Sequence, residues 1–355
     1  MSQKKETLPL LLSLILTISL VFAGLWFLME RWAQITKQNP NNPSPTNSPT
    51  QSISNNVINP NPPATNCNIP NLPQGIFNYG GSTTWAPIRR DVDSVLKSNC
   101  PQFDLRYTQP INEKPGSGTG IKMLIASQLA FAQSSRSIKP EENATAQAKG
   151  FSLKEIPVAI DGIAIAVNHN LNIPGLTVAQ IKDIYTSKIT NWQQLGGTNL
   201  PIIPLSRSKE AGGTVEFFVE NVLNKDQFGS NINYIGTTTE AIRKVAITPG
   251  AIYYGSAPEI VPQCTIKSLP IGRTSDQLVA PYQQPETTPS ECANKPNQLN
   301  SQDFRTGNYP ITRNLFVIVK QNGQTDQQAG EAYANWLVTP QGQELIEKAG
   351  FVRIK

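Results

Sequence analysis

Three short loops of glycine, serine and threonine, each running into a helical pattern, carry the residue types best suited to holding an anion. They are Gly81-Ser-Thr-Thr-Trp-Ala-Pro-Ile88, Pro115-Gly-Ser-Gly-Thr-Gly-Ile121 and Arg207-Ser-Lys-Glu-Ala-Gly-Gly-Thr214. The first N–H groups of a helix have no intrahelical partner, and the aligned peptide dipoles leave partial positive charge there. Small residues let an anion approach that backbone, and hydroxyls add donors. One such loop is no more than a helix cap. Three in one chain, one of them carrying an arginine, imply an enclosed site for a tetrahedral oxyanion such as phosphate.

The elements that must position these loops follow from hydrophobic patterning. Strands are expected at Ile76 to Tyr79 and Phe103 to Tyr107, each leading into a loop, and at Ile202 to Leu205 before the third loop. Ile156 to Val167 reads as a long buried strand, Ala251 to Gly255 as another, and Asn308 to Lys320 as one that carries the chain back. Helices are expected over Trp85 to Lys97, Gly120 to Ser127, Leu176 to Tyr185 with Thr177 as cap, Thr214 to Val222, Gly236 to Ala246, and from Gln324 through Trp336 to near Gly350. Strand–loop–helix units in this order predict an α/β fold with parallel sheets and ligands at the strand C-termini.

The N-terminus has a different character. Lys4 and Lys5 precede an apolar run from Leu8 to Met29, long enough to cross a membrane. No small-x-small cleavage site closes the run, which favours an uncleaved anchor over 1–35 rather than a cleaved signal. The paired lysines place the N-terminus in the cytoplasm and everything after Arg31 outside. Residues 36–74, rich in Asn, Pro, Ser and Thr, read as an extended tether.

The net charge is +5, and four basic residues against two acidic ones fall in the first 37 positions, leaving about +3 for the rest with no basic run. This excludes a nucleic-acid footprint. Four cysteines outside the membrane imply two disulfides; spacing favours Cys67–Cys100 and Cys264–Cys292 among three possible pairings. With no C-x-x-C and a single histidine, His169, no metal site or cofactor is expected. His169 reads as a surface-loop residue, and Trp192 and Trp336 as helix-packing residues.

The stretch Ile156-Pro-Val-Ala-Ile-Asp-Gly-Ile-Ala-Ile-Ala-Val-Asn168 continues into Leu176-Thr-Val-Ala-Gln-Ile-Lys-Asp-Ile-Tyr185 and Ile189-Thr-Asn-Trp-Gln-Gln-Leu-Gly-Gly197, and the chain ends Pro340-Gln-Gly-Gln-Glu-Leu-Ile-Glu-Lys-Ala-Gly350. From about Gln74 to Lys355 it resembles the phosphate-binding proteins of bacterial phosphate ABC transporters. The resemblance implies a two-lobed, type II periplasmic-binding-protein fold hinged on crossing strands. Lobe one would span 75–163 with a return over 314–355, and lobe two 164–313. It also implies a non-enzymatic, monomeric receptor that captures phosphate and passes it to an ABC permease.

Carried over residue by residue, the resemblance assigns Thr83 (hydroxyl) and Thr84 (backbone N–H) from the first loop. From the second it takes Ser117 as a hydroxyl donor, supported by Gly118 and Thr119. Ser135 and Arg136 form the third contact, where some family members carry an Asp that accepts the proton of hydrogen phosphate. Arg207, Gly213 and Thr214 form the fourth. Here the family's Ser-Gly-Thr reads Gly212-Gly-Thr214, with one extra residue after Arg207, and the register offers Glu210 as a replacement acceptor. Asp161, inside the crossing-strand motif, is expected to bond hinge backbone. Two rivals stand beside this reading. A hydrolase using Ser117 or Ser135 needs a histidine base that no loop supplies; an anchored sensor or scaffold would bind the anion without transport.

Overall fold

Short apolar runs ending in small residues become strands. In chain order they are β1 (Gly75–Gly81), β2 (Phe103–Tyr107), β3 (Phe131–Ser134), β4 (Ser152–Val167), β5 (Leu176–Thr177), β6 (Ile203–Arg207), β7 (Asn233–Ile235), β8 (Ala251–Ser256), β9 (Lys267–Leu269), β10 (Ile271–Gly272), β11 (Leu278–Val279) and β12 (Thr312–Gln321). The computed structural model describes residues 67, 69–208 and 212–354, and the apolar N-terminal run and most of the tether lie outside them. No helix among the described residues is long and apolar enough to cross a membrane.

Residues 62–355 form one compact unit. Its main sheet runs β2-β1-β3-β12-β4-β8-β6-β7, with β9 also pairing β4. Strands β1, β2 and β3 are mutually parallel, as are β6, β7 and β8, so two sets of loops open at strand C-termini. The antiparallel pair β4 and β12 joins the two sets, in register from Gly162↔Thr312 to Ser152↔Gln321. The register slips between Leu315 and Phe316, where β4 contributes Pro157; proline has no N–H for the ladder, so a bulge falls there.

Two cores flank this crossing. One collects Ile163 to Val167 with Trp192, Phe218 and Tyr254. The other collects Phe77, Trp85, Phe103, Phe131, Val317 and Tyr333. A small satellite around Ile121, Leu124 and Ile318 seats the helix Ser117–Ile125 on the sheet. That helix approaches so closely that a Cβ on Gly120 would sit 2.5 Å from the Gly81 Cα, and Gly81 itself holds φ 124°. Only glycine suits the second position, which is where the chain turns from β1 into the first loop.

A buried polar network fixes the same corner. Asp93 accepts hydrogen bonds from Tyr79 (2.5 Å) and Tyr333 (2.7 Å). Tyr333 accepts from Gln133, whose carbonyl receives Arg89, and Arg89 also holds the Ser82 carbonyl. Burial pushes the Asp93 carboxyl up to about 6, against the pull of the two tyrosine hydrogen bonds and of Arg89. An unfolded aspartate titrates near 3.9, so folding favours the protonated form. That contribution is full below about pH 4 and lost as the pH rises through about 6. Asp93→Asn therefore gains stability relative to the unsubstituted protein between pH 4 and pH 7 in urea melts. Parallel stability curves across that window would remove Asp93 as a cause.

Both disulfides form with the expected pairing, Cys67–Cys100 and Cys264–Cys292. Trp192 and Trp336 are buried as expected. His169 is half-buried, its Nε2 2.9 Å from the Cys264 carbonyl. The helix expected over Trp85 to Lys97 breaks at Val92, beside the inward-turned Asp93, into Ala86–Asp91 and Asp93–Asn99. The terminal helix divides into Thr325–Leu337 and Pro340–Lys348, because Pro340 opens a new helix capped by Thr339. Leu176 and Thr177 form β5 instead of a first helical turn, and Thr177 caps the helix Val178–Tyr185 as expected. Strand β3 and the helix Pro140–Gln147 were not anticipated.

Candidate functional site

Loops from both sides of the β4/β12 crossing meet in one cluster of hydroxyls. The first side supplies three serines. Ser82 follows β1, Ser117 opens the helix Ser117–Ile125 behind Gly116, and Ser135 follows β3. All three are fully buried. Ser82 donates to the Ser135 Oγ at 2.9 Å, the Ser117 and Ser135 oxygens lie 3.3 Å apart, and the Ser135 N–H donates to the Ser117 Oγ at 3.1 Å. The indole of Trp85 holds the Ser134 carbonyl at 3.0 Å, which sets the turn that presents Ser135.

The second side supplies Gly213 and Thr214 at the start of the helix Gly213–Asn221, after Gly212 at φ 108°. A Cβ on Gly213 would fall 2.3 Å from the Ser135 Oγ and 2.4 Å from the Ser117 Oγ. Glycine is what lets the two sides close on each other here. Thr84 from the first loop reaches across to Thr214, with 3.3 Å between the hydroxyl oxygens.

At the centre lies Arg313, the second residue of β12, 5 % exposed. Its Nε and Nη2 donate to the Asp161 carboxylate at 3.0 and 2.8 Å, and Arg313 and Asp161 face each other in the strand register. Its Nη2 also reaches Thr84 (3.1 Å) and Thr214 (2.9 Å), and its Nη1 the Gly213 carbonyl (3.1 Å). Asp161 accepts from Ser256 as well, at 2.7 Å, and from the Ala257 backbone N–H. Burial pushes its pKa up, against the pull of Arg313 and Ser256. The expected backbone bond of Asp161 is therefore its minor contact; the Arg313 side chain is its main partner. Glu259, in the helix Ala257–Ile260 that follows β8, has its carboxyl pushed up first by burial and then by Asp161, while Arg207 and Arg313 pull it down.

Of the residues expected at the site, Thr84, Ser117, Ser135, Gly213 and Thr214 come together by direct contact. Thr83 lies at its edge, its Oγ1 3.8 Å from where a Gly212 Cβ would stand. Gly118 faces the Arg136 guanidinium instead. Thr119 turns its hydroxyl to the Lys114 carbonyl at 3.0 Å, away from the cluster. Arg136 does not offer its charge to the cluster: it makes a two-pronged pair with Glu142 (2.9 and 2.6 Å) and a third bond to Glu216 (2.5 Å). Burial lowers its pKa, but the two carboxylates outweigh that and raise it. Arg207 is half-buried at the end of β6, and its buried Nε has no hydrogen-bond partner among the described residues. Glu210 lies outside the described residues.

Sequence reasoning missed Ser82 and Arg313. Ser82 lies inside the first loop, where Thr83 and Thr84 drew the assignment. Arg313 carried a usable signal, a cation at the head of the apolar run Leu315 to Val319, matched by the acid Asp161 beside the apolar run Ile163 to Val167 in the other crossing strand.

A family model described as the PBP superfamily domain matches residues 61–341. The chain belongs to that family. The α/β fold hinged on crossing strands is thus a periplasmic-binding-protein fold. Among curated PBP-type relatives, the phosphate-binding protein PstS of Staphylococcus epidermidis is 25 % identical over 276 residues, covering 77 % of each chain. PstS of Staphylococcus aureus is 26 % identical over 276 residues, covering 77 % of this chain and 76 % of the relative. Among solved structures, a putative phosphate ABC transporter substrate-binding protein with bound phosphate from Clostridium perfringens superposes with a TM-score of 0.63 at 23 % identity, covering 79 % of this chain and all of that one. An ABC-type phosphate transport receptor from Vibrio cholerae gives 0.60 at 19 % identity, with 78 % and 99 % covered.

Proposed function

We propose that the protein is an extracytoplasmic receptor that captures inorganic phosphate between two lobes and delivers it to an ABC permease. The observation that carries this is the convergence of two helix starts, Ser117 and Gly213, on one cluster of buried hydroxyls. A desolvated anion needs nearly every lone pair occupied. Thr83, Thr84, Ser117, Ser135, Gly213 and Thr214 supply neutral donors, and Arg207 supplies charge. Gly118 and Thr119 shape the second loop rather than contact the anion. The names of the relatives support phosphate as the ligand and a transporter as the partner. No histidine joins the serine cluster, which argues against hydrolysis.

The lobes are residues 75–163 with 314–355 on one side and 164–313 on the other; the protein acts as a single copy, since one chain supplies both faces. The apolar run before the tether anchors it to the cytoplasmic membrane. Arg136 is a strap between lobes, tying the turn after β3 to Glu216, and Lys139–Glu220 (3.2 Å) repeats the link one turn along the same helix. Ligand binding stabilises the closed arrangement, and the straps bias it. Glu216→Gln is expected to weaken phosphate binding about two- to fivefold without altering the ligand preference, read by titration with phosphate and arsenate. An unchanged affinity would show that the strap carries no closing energy.

Calorimetric titration of anion-stripped protein tests the main reading. Phosphate should bind at micromolar concentration or tighter, with arsenate close behind. Silence toward both would overturn it.

A further inference from the structure

We infer that Arg313 is a positioning residue that sets Thr84 and Thr214, one from each lobe, as hydrogen-bond donors to the bound anion. This rests on the reading of the cluster as an oxyanion site. A guanidinium has donors and no acceptor. Its Nη2 lies 3.1 Å from the Thr84 Oγ1 and 2.9 Å from the Thr214 Oγ1, so the one Nη2 N–H left over from Asp161 is shared between the two oxygens, and neither hydroxyl can donate back to it. Each hydroxyl proton must then point elsewhere. The two oxygens are 3.3 Å apart, so at most one proton is used between them and at least one has no acceptor among the described residues. A bound anion takes both.

The arginine's own position is fixed independently of any ligand. Asp161 faces it in the strand register and receives two of its N–H groups, and the Gly213 carbonyl receives Nη1. Arg313 therefore sits on the strand that crosses between lobes while touching a hydroxyl from each. Its bonds to Thr84 and Thr214 coexist only when the lobes are together, so the donors are oriented as the cleft closes. Lysine at this position keeps the charge beside Asp161 but has three N–H groups, too few for Asp161, both threonines and Gly213 together.

A double-mutant cycle on the full chain tests this, with phosphate as the probe. Arg313→Lys should lower phosphate affinity about tenfold or more. Thr84→Val and Thr214→Val should each cost about tenfold with Arg313 present and less than about threefold in the Arg313→Lys background. A purely structural arginine would lower the melting midpoint yet leave the threonine effects multiplying unchanged, and that outcome overturns the inference. So does an Arg313→Lys protein that binds phosphate like the unsubstituted one. If Arg313→Lys fails to fold, the same cycle is run with Asp161→Asn and Arg313→Gln together, which removes both buried charges and keeps the strand register. An unsubstituted protein silent toward phosphate, arsenate and sulfate overturns the anion site itself, and this inference with it.

Discussion

Arg207→Ala is expected to weaken phosphate binding by more than tenfold. The three arginines around the cleft are not equivalent. Arg136 is saturated by Glu142 and Glu216, and Arg313 is paired with Asp161. Among the described residues Arg207 has no salt-bridge partner, and its buried Nε has no hydrogen-bond acceptor. Its charge is the one proposed to meet the anion. A charge-assisted hydrogen bond contributes about 1.5–3 kcal/mol, which is more than tenfold in affinity. Titration of the variant reads this directly. Affinity within twofold of the unsubstituted protein would remove Arg207 from the site and leave the anion held by neutral donors.

Gly213→Ala is expected to have a comparable effect by a different route. The added Cβ would stand 2.3 and 2.4 Å from the Ser135 and Ser117 hydroxyl oxygens, which come from the other side of the β4/β12 crossing. Such overlap costs about 1–3 kcal/mol where packing must give way. Opening the cleft relieves the clash, so the cost falls on closure and not on either lobe's core. Phosphate affinity should drop about 5- to 100-fold while the melting midpoint of ligand-free protein moves by no more than a few degrees. A large fall in the midpoint with affinity preserved would show that Gly213 serves folding instead of closure.

What was legible in the sequence, and what was not, divides along a physical line. The three loops could be read because local chemistry defines them: glycine where backbone must approach, hydroxyls where helix donors are exposed, a periodic apolar pattern behind. Strand β4 could be read because its end, Ile163 to Val167, is apolar at every position. Partnerships across long sequence separations could not. Arg136 stands beside Ser135, and adjacency suggested a shared ligand; the acids that claim it are 6 and 80 residues away. Arg313 was hidden inside a strand read only as the return of the chain, although its pairing with Asp161 spans both crossing strands. Buried ions of opposite sign tolerate such a place only together, so an acid and a cation each beside the apolar run of a paired strand are a pair to look for. The break at Val92 was also invisible, because the tyrosines that draw Asp93 inward come from β1 and from a helix 240 residues on.

The central claim is that both lobes close their hydroxyls and Arg207 around one phosphate. A crystal structure grown with phosphate tests it most directly. The account predicts a tetrahedral anion in contact with Thr84, Ser117, Gly213, Thr214 and Arg207, with Arg136 still held by Glu142 and Glu216. Phosphate bound elsewhere on the chain, or seated in the cleft with Arg207 turned away and Arg136 released onto it, would contradict it.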